Sequence, residues 1–443
     1  MNPINSLTIL HHKSVPKNPV NMKLNIISTK LIKPCIPTPQ SLNKYKISFT
    51  DELAAPLNIN VILFYPSSNH DTTKLEQSLA QILPQYYPLA GRYIKNDRLI
   101  DCNDEGAEFV QAEATDIESM IDLKTNNVPL DDLLSRQFYE MDLVTDPLLS
   151  IQITTFKCGG LTIGISMSHR ILDGSSFGTF IAAWSNASMG NTITTPTFDS
   201  LTLFPGKDLG LDFDPPRTRD TSIVAKRLVF NKEDITNLRS KIRPKKSGEK
   251  VIVSRVRLVT VLIAKALIRL DREKNLKTET KDCFIYQLID MRGRTINPLL
   301  PKHSCGNLAI PSVTKCVDIG FEELVYRHGD DINKTVSDVA QMFSSNEDLN
   351  GVIMGSVEKV RDVFMTANVL MFSDFSKFGF YEADFGFGKP VWAGIGTLPR
   401  EQSTTLMANK EGDGIEAWVH LNQNDVLEFE RCLQLTELVR VYE

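Results

Sequence analysis

The spacing of apolar residues divides the chain into strands and helices before any motif is considered. Asn58 to Tyr65 (NINVILFY) is an unbroken run of strand-favouring residues bounded by proline, and reads as a strand. From Asp71 to Leu83, Leu75, Leu79, Ile82 and Leu83 recur at helical spacing behind a capping Asp71, so a helix is expected. Leu99 to Cys102 and Ala107 to Ala112 read as strands joined through the turn Asn103-Asp104-Glu105-Gly106. Ser150 to Phe156 places Ile151, Ile153 and Thr155 on one face. The turn Lys157-Cys158-Gly159-Gly160 and a second run, Leu161 to Ser168, complete a β-hairpin that ends on His169. A helix from Ser175 to Met189 follows, with Phe177, Phe180, Ile181 and Trp184 on its buried side.

The pattern lapses between Asn191 and Asp220, where Thr, Pro, Asp and Gly dominate, as in a long connection between two halves. The second half opens with a strand at Ile223 to Phe230 and a helix from Lys232 to Ile242. Pro244 to Lys250 is a basic, glycine-containing loop, and Ser254 caps a strong helix that runs through Arg269. Further strands are expected at Cys283 to Ile289, Val391 to Thr397, Ser403 to Asn409 and Ile415 to His420, with a terminal helix capped by Asn424. Strands and helices alternate in both halves, which is an α/β pattern with two similar-sized domains. The expected division is a polar leader over 1–21 with no helical or strand period, an N-terminal domain over 22–190, a crossover over 191–222 and a C-terminal domain over 223–443.

Composition narrows the function. The 443 residues are 42% hydrophobic and 23% charged, with a net charge of −5, which does not suit a nucleic-acid binder with a basic face. No apolar run approaches the ~20 residues needed to span a bilayer. The N-terminal stretch shows no signal-peptide core, so a cytoplasmic, membrane-free protein is expected. Seven cysteines, odd in number and without a CxxC, fit reduced thiols, and the seven histidines show no metal-ligand spacing.

Two segments carry candidate chemistry. In His169-Arg170-Ile171-Leu172-Asp173-Gly174, a histidine at a strand tip precedes a glycine and a helix start. A hydroxyl is a poor nucleophile until its proton is removed, and histidine is the usual base near pH 7. The alternative is a buried structural histidine, and HxxxD alone is a pattern that chance supplies often. Asp384-Phe385-Gly386-Phe387-Gly388-Lys389-Pro390 is a glycine-rich turn before a strand. Its DFG does not make a protein kinase, because no VAIK-type strand or APE accompanies it. A dinucleotide site is excluded as well, since no GxGxxG joins a strand to a helix.

Taken together, in this order and separation, these segments resemble the BAHD family of plant acyl-CoA-dependent acyltransferases, whose hallmarks are HxxxD and DFGWG. Further matching text is Ile36-Pro37-Thr38-Pro39-Gln40-Ser41-Leu42, Tyr87-Pro88-Leu89-Ala90-Gly91-Arg92, the cysteine-Gly-Gly hairpin, Asp290-Met291-Arg292-Gly293-Arg294 and the Gly306-Asn307 pair. Within the family the chain is most similar to the alkaloid acetyltransferase branch. The resemblance implies a fold of the chloramphenicol acetyltransferase type, with two α/β domains, a long crossover loop and a channel between the domains. It implies His169 as general base, Asp173 paired structurally with Arg292, Asn307 beside the channel, and Asp384, Phe385, Gly386 and Gly388 supporting the fold and the coenzyme A site. Acetyl-CoA or another acyl-CoA would be the co-substrate and an alcohol, on this resemblance an indole alkaloid, the acceptor. No permanently bound cofactor, metal or nucleic acid would be involved, and the protein would act as a monomer.

The chain departs from the family at three places. The family tryptophan of DFGWG is Phe387, the aromatic position before Gly306 is Cys305, and a Thr-Ser-Trp stretch aligns with Ser373-Asp374-Phe375. Ser373 keeps a hydroxyl for a developing oxyanion, while Phe375 has no donor, and loss of one such donor costs ~10²–10³ in rate. These changes keep open a second reading, a relative without transfer activity that binds an alkaloid or guides its cyclisation. Hydrolysis by the same base with water is a third.

Overall fold

The computed structural model describes residues 8–10, 22–66, 71–114, 130–138, 145–207, 209, 220–244, 252–274, 281–294, 300–316, 319–344, 349–434 and 440–442. In the first half, β1 (Thr8–Leu10), β2 (Leu24–Ile32), β3 (Lys44–Lys46), α1 (Phe49–Glu52), β4 (Asn58–Tyr65), α2 (Thr72–Ile82), β5 (Arg92–Ile94), β6 (Leu99–Asp101) and β7 (Ala107–Ala114) lead to the hairpin β8 (Leu149–Thr155) and β9 (Leu161–Ser168), and then to α3 (Gly174–Met189). After a short helix α4 (Ser200–Leu203), the second half contains β10 (Ile223–Phe230), α5 (Lys232–Ser240), α6 (Arg255–Lys274), β11 (Cys283–Asp290), β12 (Ala309–Cys316), α7 (Phe321–Ser344), α8 (Leu349–Thr366), β13 (Asn368–Asp374), β14 (Trp392–Gly394), β15 (Ser403–Ala408), β16 (Ile415–Asn422), α9 (Val426–Gln434) and β17 (Arg440–Tyr442).

Two mixed six-stranded sheets organise these elements, in the orders β14-β4-β9-β8-β7-β2 and β10-β16-β15-β13-β11-β12. Every residue of β4 and β9 is buried, which explains why their sequences lack the alternation of a half-exposed strand. The first core packs α2 and α3 on the first sheet through Leu75, Leu79, Phe177, Phe180 and Trp184. A second core packs α6 and α9 on the second sheet through residues such as Leu262, Leu267, Phe372 and Phe429.

Several expectations need correction. Residues 223–443 do not form a self-contained unit: β14 pairs antiparallel with β4 of the first sheet, and Phe380, Tyr381, Phe385, Trp392 and Ile395 are buried in the first core. This strand is also shorter than Val391 to Thr397. Leu99–Asp101 and Ala107–Ala114 are strands, but they belong to different sheets. The terminal helix is preceded by a 3-10 turn, and it is Asn422, with a non-helical backbone at φ −60° and ψ 135°, whose side chain accepts the N–H of Asn424. The leader is not without strand structure, since β1 pairs in parallel with β17. The rest of the leader (1–7 and 11–21), residues 208 and 210–219 of the crossover and residues 245–250 of the basic loop lie outside the described residues. Among the described residues no helix is long and apolar enough to cross a membrane.

The segment that crosses between halves is held at defined points. Tyr65 donates its hydroxyl to the Ala383 carbonyl at 2.8 Å, and Ser188, near the end of α3, donates to the Phe385 carbonyl at 2.7 Å. Phe385 packs edge-on against Trp184 with ring centroids 4.6 Å apart. Truncating this buried ring in Phe385→Ala should cost ~3–5 kcal/mol of unfolding free energy, the range for a large aromatic removed from a core. Denaturant unfolding measures this, and a loss below ~1 kcal/mol would show that the crossing segment contributes little to the first core.

Candidate active site

The site forms where α3 begins. Its N-cap is Asp173, whose carboxylate accepts the Ser176 N–H and hydroxyl at 2.9 Å each. The same carboxylate receives a two-pronged ion pair from Arg292 of the second half, Nη1 to Oδ2 at 2.9 Å and Nη2 to Oδ1 at 3.1 Å, and also the Leu308 N–H at 2.9 Å. Both partners are buried, at 7% exposure each. Arg292 reaches further acceptors at the carbonyls of Ser304 and Gly306 and at Asp290. Burial alone would raise the Asp173 carboxyl, but the Arg292 guanidinium and the hydrogen bonds outweigh it and hold the group below the usual carboxylate range.

His169 lies four residues before this cap, directly after β9. Its N–H donates to the Leu57 carbonyl at 2.7 Å, and its own carbonyl accepts the Asn307 side-chain amide at 2.9 Å. The side chain is half-buried, and its ring nitrogen Nδ1 is buried without a hydrogen-bond partner. Burial lowers the imidazole below its ordinary value and outweighs its own backbone carbonyl, the Asp173 charge and Asn307, which favour the protonated form. The ring is therefore neutral near pH 7, as a base must be.

Asn307 is placed by a residue that sequence reasoning missed. Its backbone N–H and side-chain amide both donate to Asp51 Oδ1, at 2.9 and 2.8 Å, so one amide group joins Asp51 to the His169 carbonyl. Asp51 is fully buried in α1 and also closes a capping box with Ser48. The Ser48-to-Asp51 spacing is the available signal, but it marks a helix start and says nothing about a contact more than 250 residues away. Ser176, which holds Asp173, Arg292 and Gly306 together, was also missed.

The remaining candidates occupy two further places. Ser373 is half-buried near the end of β13. Two residues on, Phe375 leans with Phe378 on the start of α3, so closely that a Cβ added to Gly174 would lie 3.0 Å from Phe375 and 2.7 Å from Phe378. Gly306, at φ +138°, similarly touches Ser200, where an added Cβ would lie 2.8 Å away. Cys305 is fully buried, and burial pushes its thiol up to about 12, which leaves it unreactive. The Asp384 carboxylate accepts the N–H groups of Gly386 and Gly388 at 2.8 and 3.0 Å and shapes the turn around buried Phe385. That turn meets α3 at Ser188, so with a rise of ~1.5 Å per residue it lies about 20 Å from the Asp173 end. Among the described residues, the acids and cysteines close enough together to ligate a metal are Glu273, Glu428 and Cys432, on α6 and α9 and outside this site.

A family model described as Transferase family matches residues 22–436. The chain belongs to that family, the BAHD acyltransferases. Among curated BAHD relatives it is 44% identical to pelargonidin 3-O-(6-caffeoylglucoside) 5-O-(6-O-malonylglucoside) 4'''-malonyltransferase of Salvia splendens, over 94% of this chain and 99% of that one. It is 34% identical to vinorine synthase of Rauvolfia serpentina, over 90% and 94% of the two chains. The crystal structure of vinorine synthase superposes with a TM-score of 0.77 at 31% identity, covering 94% of this chain and 98% of that one. TRI101 of F. sporotrichioides, solved with coenzyme A and T-2, shares the fold at a TM-score of 0.66 and 16% identity, over 89% and 98% of the chains. The protein is an acyl-CoA-dependent acyltransferase with two sheet-rich α/β regions.

In this BAHD enzyme the buried Asp173–Arg292 pair generates a prediction for stability and its pH dependence. Asp173→Ala should cost ~3–5 kcal/mol by leaving Arg292 buried without its partner. Because the folded carboxyl titrates below the unfolded value of ~3.9, its contribution is complete above that pH and is lost as pH falls through the folded value. Asp173→Asn should therefore show a shallower fall in stability than wild type on acidification below about pH 4, read from denaturant midpoints across pH. Equal slopes for the two proteins would disprove the assignment.

Proposed function

We propose that the protein transfers an acyl group from acyl-CoA to a hydroxyl of a plant specialised metabolite, with His169 as general base. The observation that carries this is the half-buried imidazole at the end of β9, held where elements of both halves meet and without a hydrogen-bond partner at Nδ1. Acyl-CoA and the alcohol enter a channel between the halves from opposite mouths. His169 takes the hydroxyl proton as the oxygen attacks the thioester carbonyl. The oxyanion is held by donors such as Ser373, and its collapse expels the coenzyme A thiolate, which receives the proton back from the imidazolium. No acyl-enzyme forms. Asp173, Arg292 and Asn307 position the base, and the turn over 384–388 supports the fold and the coenzyme A end of the channel. All these residues come from one chain, so this mechanism needs no second subunit in the site.

The likeness to vinorine synthase supports acetyl transfer to an indole alkaloid. The higher identity to a Salvia splendens malonyltransferase supports a second reading, malonyl transfer to a sugar hydroxyl of an anthocyanin glucoside. Incubation with acetyl-CoA or malonyl-CoA and a panel of both acceptor classes, followed by mass spectrometry, separates them by the group gained and the acceptor that gains it. Release of coenzyme A without an acylated product would instead mean hydrolysis. Ligand binding with neither product nor release would identify a relative that does not transfer.

His169→Ala should keep the wild-type melting midpoint and lose ~10²–10⁴ of turnover, the contribution of a positioned base. Retention of more than about a tenth of the rate would rule out His169. Since burial lowers the imidazole, the acid limb of kcat/KM against pH should have its midpoint below ~6.5, and a midpoint above that value would contradict the desolvated environment.

A further inference from the structure

The ladder between β11 and β12 has the active-site residues at one end and two cysteines at the other. Asp290 pairs with Ala309, just before Arg292 and just after Asn307, while Cys283 pairs directly with Cys316. Seven residues at ~3.4 Å each separate the two ends by about 24 Å. Directly opposed residues in an antiparallel ladder have Cα atoms ~4.5–5.5 Å apart, within the span that a disulfide bridges without moving the backbone.

The pair closes the distal end of the ladder at the edge of the second core. Cys283 and Cys316 are 8% and 7% exposed, so both are near, but not at, the surface. Their neighbours Asp282 and Lys315 form a solvent-exposed ion pair at 2.6 Å on the opposite face of the sheet, while both thiols turn toward the second core at the end of the ladder. The Cys316 thiol donates to the Thr314 carbonyl at 3.7 Å, and the closeness of the two thiols holds Cys316 below the usual thiol range, helped by Lys265 and Arg327, and pushes Cys283 above it. A pair of this kind has an attacking and a resolving member.

We propose that Cys283 and Cys316 form a peroxide-reactive dithiol that closes to a cross-strand disulfide. The Cys316 thiolate attacks one oxygen of hydrogen peroxide, the O–O bond breaks, and a Cys316 sulfenic acid and one water result after proton uptake. The Cys283 sulfur, giving up its proton, attacks the sulfenic sulfur and displaces the second water. Two thiols lose two electrons and two protons, and one peroxide becomes two waters. The bond pins the distal end of the ladder that presents Arg292 and Asn307, and thiol reductants reopen it.

The reduced full-length protein, freed of reductant, is treated with hydrogen peroxide under native conditions, alkylated and mapped by mass spectrometry. A Cys283–Cys316 linked peptide pair that dithiothreitol removes is the expected result. Cys283→Ser should abolish the link and leave a sulfenic acid at Cys316 that dimedone traps, whereas Cys316→Ser should abolish both signals. Cys283→Ala serves as a second variant should the serine form fail to fold. Oxidation confined to exposed Cys35 and Cys158, with Cys283 and Cys316 recovered as free thiols, would overturn the proposal. So would dimedone labelling of Cys316 in the wild type without any linked peptide.

Discussion

The ion pair between Arg292 and Asp173 is the constraint from which the rest of the site follows. Two charges taken out of water are stable only when their remaining donors and acceptors are filled. Arg292 fills its own with Ser304, Gly306, Asp290 and Ser176, and Asp173 fills its with Ser176 and Leu308. Each of these partners must stay in place for the pair to remain satisfied. Arg292 and Leu308 belong to the second half and Asp173 caps a helix of the first, so relative sliding of the halves would break several bonds at once.

The opposite end of α3 is fixed by the same half through different physics. There, Phe385 fills the space beside Trp184, and Ser188 holds the Phe385 carbonyl. The helix is thus pinned by a charge network at its first turn and by aromatic packing at its last, both from the C-terminal half. His169 sits on the short connection between β9 and this helix, so its position inherits the rigidity of both. Proton transfer is sensitive to displacements of about 1 Å, which gives a physical reason to spend a buried ion pair on a residue that need not touch substrate.

Much of this architecture is legible in the sequence, because strands such as Asn58–Tyr65, the hairpin before His169 and the helix after Asp173 depend on local pattern and local caps. The exchange of 380–395 into the first core is not legible, since a strand of three residues looks the same whichever sheet it joins. The Asp51–Asn307 contact is hidden for the same reason: capping chemistry is local, while a buried acceptor is chosen by tertiary packing. Asn424 likewise carries the residue type of a cap, but a 3-10 turn inserted before the helix moves the capping position to Asn422.

The charge network also bears on the His169 imidazole, the base proposed for this site. Asp173 lies four residues from His169, and its negative charge favours the imidazolium. Unopposed, that charge would push the histidine toward the protonated form, which cannot accept a proton from an alcohol. Arg292 pairs with that carboxylate at 2.9 Å, and burial outweighs the Asp173 charge at the imidazole, which stays below its ordinary value. The aspartate of HxxxD therefore has no need to act as the orienting carboxylate of a triad. Its Arg292, Ser176 and Leu308 partners occupy its oxygens. A base whose pKa is lowered by burial is a weaker proton acceptor and, once charged, is unstable where it stands. That instability returns the proton to the departing thiolate, which closes the catalytic cycle proposed for this site.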